Sequence, residues 1–182
     1  AFAELVKHPQ ARRLVSLYFV LQFFFAWMVI YMVPYLTDLG FGLRTIGCIL
    51  SVMLLPFVLF QYGVGKLADR YHNERSIIIL GFCIMGLATL LLALPDSIVY
   101  APGAAFFAIV LFLTRVGASI IEVGVESKFF KEVSEKDTAI ISTLRMTIPL
   151  AYIIAPLLGA LVLSVGGMQY LFLILGLLAL GA

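Results

Sequence analysis

Three charged side chains fall where charge is costly. Arg115, Glu122 and Arg145 lie inside long apolar runs of this 182-residue chain. An ionised side chain at the centre of a bilayer costs about 2.5–3.5 kcal/mol even on insertion-based scales, so it turns toward a protein interior or a watery cavity. Arg115 and Glu122 are seven residues apart, two helical turns, which puts both on one helix face. At about 1.5 Å of rise per residue, Glu122 and Arg145 come to similar depths if their helices are antiparallel neighbours, and they are expected to pair. Such a set could bind a charged solute, take up a proton at Glu122, or act as a gate. The competing reading is a static ion pair that only fixes helix register.

The elements that must hold these residues follow from composition. Hydrophobic residues make up 63% of the chain and charged residues 12%, with a mean hydropathy of +1.13. A soluble domain carries roughly 25% charged residues, so most of this surface faces lipid. A spanning helix takes about 20 apolar residues, which leaves room for six spans and short loops. Residues 1–13 read as a linker or interfacial segment. The spans run over about 14–36, 45–65, 76–94, 104–125, 138–164 and 168–182. The fold class expected is therefore an all-α membrane protein of six transmembrane helices.

Orientation follows from the basic residues. Of the 12 Lys and Arg, nine fall in the amino-terminal segment and the loops after spans two and four: Lys7, Arg12, Arg13, Lys66, Arg70, Arg75, Lys128, Lys131 and Lys136. Only Arg44 lies in the opposite loops. Positive charge marks the cytoplasmic side, so the amino terminus and those two loops are expected to be cytoplasmic in a multi-pass protein of the cell (inner) membrane. Because the basic residues sit between apolar runs, they do not suggest nucleic-acid binding. Cys48 and Cys83 fall inside apolar segments and read as small buried hydrophobes. No Cys/His spacing calls for a metal, and nothing calls for a cofactor.

The loop after span two reads Gly65-Lys66-Leu67-Ala68-Asp69-Arg70-Tyr71-His72-Asn73-Glu74-Arg75. Gly65, Leu67, Ala68, Asp69 and Arg70 match in type and spacing the signature between the second and third helices of each half of major facilitator superfamily transporters, which this chain resembles. His72 stands where that family usually has Gly, and Asn73 and Glu74 where it is usually basic. Gly65 can end a helix or admit a close neighbour. Asp69, Arg70 and Arg75 at the membrane edge can make charge-assisted bonds to helix ends, bonds that hold one conformation and break in another. With Glu122 and Arg145 they form the candidate gating set.

The resemblance implies two six-helix halves, each built as a 3+3 inverted repeat, with this chain supplying one half. The carboxyl-terminal half is favoured, because residues 4–13 resemble the end of a central linker and the loop signature is degenerate. A chain opening on Ala also fits a piece of a longer protein. In the family the first and fourth helices of each half line the cavity, which makes Gln22, Trp27, Tyr31, Arg115, Ser119 and Glu122 candidates for a substrate cavity or for coupling. Span five carries Pro149 and Pro156 on one face, then Gly159, and these are candidate bend positions.

The function implied is secondary transport of a small solute by alternating access, with proton coupling open. Partners would be the solute, protons, the lipid bilayer, and the missing half or a second copy. A membrane enzyme would need a Ser/His pair, paired Asp residues or a His/Glu metal site within the bilayer. His8 and His72 lie outside the spans and no Asp lies well within one, so an enzyme is not expected. A non-transporting scaffold or sensor on the same bundle is the remaining alternative.

Overall fold

A computed structural model of the chain describes residues 8–71, 74–94, 103–133 and 137–182, with side chains described for all of these except 60–71. The regular elements among the described residues are six α-helices: α1 Pro9–Asp38, α2 Leu43–Tyr71, α3 Glu74–Leu92, α4 Ala104–Glu132, α5 Thr138–Val165 and α6 Met168–Leu180. By length and composition α1, α3, α4 and α5 can each cross a membrane; Leu43–Leu59 of α2 and all of α6 are shorter apolar helices. The exterior is apolar, with Val58 81% and Leu157 65% exposed. Such a surface is stable against lipid and not against water.

Local chemistry sets the helix ends. Pro9 opens α1 at a position where its missing N–H costs nothing. α1 closes on Gly40, whose φ of 84° is left-handed. The Gly40 N–H donates to the Thr37 carbonyl (2.9 Å) and the Phe41 N–H to the Leu36 carbonyl (3.1 Å). Those two bonds satisfy carbonyls the helix would leave unpaired, and a side chain at Gly40 would be strained. Two glycines, Gly166 and Gly167, join α5 to α6.

In lipid, helices associate through close packing between small residues. α3 and α4 run antiparallel along such a seam. A Cβ on Gly117 would sit 2.6 Å from the Met85 backbone nitrogen and 2.7 Å from the Gly81 carbonyl oxygen. α3 also packs closely on α6 at Gly86 and Gly176, where the Leu180 and Leu90 side chains fill the space a Cβ would take and the facing glycine carbonyls lie just behind. α4 also packs on α2, and α1 packs on α5, α4 and α6. α4 and α5 follow one another in sequence, yet they do not pack against each other.

Three expectations change here. Helix α2 does not end near Gly65 but continues through Tyr71, because Lys66, Leu67, Ala68 and Arg70 are strong helix formers. Helix α4 likewise continues through 126–132, where a loop was expected. Cys48 and Cys83 are exposed on the bundle's outer surface, not buried.

Candidate functional site

Helix α4 is the axis of the site because most of its length is enclosed. Its buried residues run from Phe107 through Thr114, Arg115, Ala118 and Ile121 to Phe129. Arg115 is 3% exposed. Its guanidinium carbon lies 4.9 Å from the Phe25 ring centre and 5.8 Å from that of Phe24. The negative ring faces stabilise a cation with little water around it. They do nothing for the in-plane donors, and the Nε–H has no hydrogen-bond partner among the described residues.

Arg115 and Glu122 open into one cavity of about 620 Å³, as their two-turn spacing requires. Met28 and Met32 of α1 and Met53 and Phe57 of α2 supply apolar walls, and Tyr152 of α5 supplies a hydroxyl. The volume suits a small ligand, as does a mainly apolar wall bearing a few polar groups.

A second polar cluster lies one turn further along α4. The Tyr18 hydroxyl of α1 donates to Glu126 Oε1 at 3.2 Å, with Gln22 one turn along the same helix face. Tyr18 and Gln22 are buried, and Glu126 is half-buried. Sequence reasoning missed Glu126 by placing it at the start of a loop. Its signal was the four-residue spacing from Glu122, which sets both carboxylates on one helix face.

The other candidates are dispersed. Arg145 is exposed on α5, off the buried stripe of Ile140, Thr143, Leu144, Thr147 and Ala151. The expected Glu122–Arg145 pair is not formed, because α4 and α5 are not neighbours and equal depth does not bring them together. The ion pair found among the described residues is Lys131 Nζ to Glu74 Oε1, 2.7 Å, joining the ends of α4 and α3. Glu74 precedes the apolar run of α3, and its bond to Lys131 holds its carboxyl below the usual carboxylate range.

Trp27 is buried and Tyr31 half-buried in helix packing. The Tyr31 hydroxyl donates to the Pro156 carbonyl at 3.1 Å, and its ring packs against Gly159. The Ser119 hydroxyl bonds the Val116 carbonyl of its own helix. Gln22, Trp27, Tyr31 and Ser119 do not line the cavity that Arg115 and Glu122 share. Pro149 and Pro156 both lie inside α5. Gly65, Asp69 and Arg70 lie on helical backbone, but their side chains are outside the described ones, as are residues 72 and 73. Arg75 is exposed at the start of α3.

Apolar outward-facing helices, four of them long enough to cross a membrane, and an open cavity bearing Arg115 and Glu122 fit a multi-pass membrane protein of the transporter class. A family model described as Major Facilitator Superfamily matches residues 15–182, and the chain belongs to that family. Comparison with curated proteins gives no match. Membership places the chain in a membrane-embedded protein that moves a small solute across the bilayer, in a family that is generally non-enzymatic.

Proposed function

We propose that the chain is one half, the carboxyl-terminal one, of a secondary transporter that works by alternating access in the cell membrane. The amino terminus and the loops after the second and fourth helices face the cytoplasm. The observation that carries the reading is the joint placement of Arg115 and Glu122 in one cavity of about 620 Å³. A charged pair on an inner helix wall is expensive in a bilayer and suits a path for solute or protons.

The roles divide by chemistry. Arg115 holds the solute, and Glu122 exchanges a proton with the cavity. Glu126, tied to Tyr18, supports the same ladder of carboxylates toward the cytoplasmic end. The bundle moves as a rigid body against its other half, while the Asp69–Arg70–Arg75 region holds and releases the cytoplasmic contact. Pro149 and Pro156 let α5 bend as the cavity opens.

The test is uptake by the full-length parent in liposomes, with a solute panel assayed with and without an inward proton gradient. Gradient-driven accumulation of at least one solute, lost in Glu122→Gln, is the expected result. Absence of flux for every solute would leave a scaffold or sensor as the better reading.

A further inference from the structure

Arg115 fixes more than the existence of a site. Buried guanidinium groups are ordinarily matched by a carboxylate or by carbonyls that take up their donors. Here two ring faces carry the charge and the Nε–H is left without a partner among the described residues. Ring faces offer no lone pairs for the in-plane N–H bonds. Glu122 does not supply them: two turns along the helix, it acts on Arg115 through space as a Coulombic neighbour, with no hydrogen bond or ion pair joining the two among the described residues. The side chain is 3% exposed, so bulk water supplies little either. What is missing at Arg115 is a planar acceptor of negative charge.

The rest of the cavity describes the body attached to that acceptor. Phe25, Met28, Met32, Met53 and Phe57 surround the space. Thioether and aromatic walls of this kind are polarisable and adapt to varied apolar shapes. A sugar or other polyol would leave its hydroxyls unmatched against them, at a cost for each one.

We infer that the cavity binds amphiphilic organic monoanions, a carboxylate or similar acid group on Arg115 with a short alkyl or aryl body along the methionine and phenylalanine wall. The inference rests on the reading of this cavity as the solute site and names the substrate class for it. A carboxylate meets guanidinium through parallel N–H donors, which is the geometry Arg favours over Lys. Glu122 at the far end disfavours a second negative charge and so selects monoanions over dianions.

The experiment measures binding to the full-length parent in lipid nanodiscs by titration calorimetry. The probes are propanoate to hexanoate, then hexan-1-ol, hexylamine, 6-aminohexanoate and adipate. Affinity is expected to rise by roughly fourfold per methylene from propanoate to hexanoate. Hexanol, hexylamine and adipate should bind at least about tenfold more weakly than hexanoate. Arg115→Gln should lose the preference for the acid over the alcohol, and Arg115→Lys should keep part of it. A cooperative Trp-fluorescence melting transition at the unmodified protein's temperature shows that each variant is folded.

Equal binding of hexanol, or tighter binding of hexylamine or 6-aminohexanoate than of hexanoate, would overturn the inference. So would an acid preference that survives in Arg115→Gln. Gradient-driven uptake confined to neutral or cationic solutes would sink the anion class and leave transport standing. Selective acid binding without uptake of any acid would do the reverse.

Discussion

The two sides of the bundle are built on different principles. Along α3, the contacts with α4 and α6 close on glycines: Gly117 faces the backbone of α3 directly, while Gly81, Gly86 and Gly176 are filled by the Ile121, Leu180 and Leu90 side chains with a facing glycine carbonyl just behind. At Gly117 the facing backbone cannot give without separating α3 from α4. Around α1, α2 and α5 aromatic rings carry contacts, Tyr31 on Gly159 and Phe25 on Phe57, prolines lie inside all three helices, and a cavity opens. The comparison suggests a division of labour within one six-helix unit. A close-packed glycine seam holds α3, α4 and α6 together, and the other side opens the cavity that Arg115 and Glu122 of α4 line.

The sharpest way to break this comparison is to fill the seam. Gly117→Val should cost about 3 kcal/mol or more, since the overpacked atom is backbone and cannot move aside. The midpoint of thermal unfolding in detergent reads the loss. Gly47→Ala is the matching control on α2, where a Cβ meets nothing within 4 Å, and it should be neutral or slightly stabilising. Equal damage from both would remove the distinction between the two sides.

Next in size is the cavity. Arg115→Gln should lower solute affinity roughly 10- to 100-fold, the range expected for losing charge-assisted bonds, while the unfolding midpoint changes much less. A third effect falls on the α5 prolines. Replacing Pro149 and Pro156 together by Ala should slow transport turnover without lowering stability, because each Ala restores a helix hydrogen bond. A fall in stability alone would make the prolines packing elements.

Smaller effects belong to the polar contacts. Tyr31→Phe removes the bond to the Pro156 carbonyl and should cost about 1 kcal/mol. The Lys131–Glu74 pair lies at the helix ends, and Glu74→Gln should cost under about 1 kcal/mol at neutral pH. Because Lys131 holds the Glu74 carboxyl low, that small contribution is present at neutral pH and is lost as pH falls through the folded-state value.

Hydropathy made the helical membrane fold legible, since a charged fraction of 12% cannot cover a soluble surface. The loop residues Gly65 to Arg70 pointed to the family that the chain-wide match then showed. The seven-residue spacing put Arg115 and Glu122 on one face, and the structure places both in one cavity. What sequence could not supply was helix adjacency. Depth counting paired Glu122 with Arg145, but depth is one coordinate, and α5 packs on α1 in place of α4. Helical spacing along α1 likewise failed to tell the cavity face, with Met28 and Met32, from the packing face, with Trp27 and Tyr31. Aromatic side chains serve both purposes, and only the neighbours decide. Glu126 went unnoticed because charge near a span end reads as loop, while a tyrosine on another helix holds it in the bundle.

The claim at the centre of this account is that solute passes the Arg115–Glu122 cavity. The most direct measurement compares gradient-driven solute accumulation in liposomes by the full-length protein and by its Arg115→Gln and Glu122→Gln variants, each verified as folded. The account predicts accumulation by the unmodified protein and its loss in both variants. Accumulation by either variant at the unmodified rate and level would contradict it.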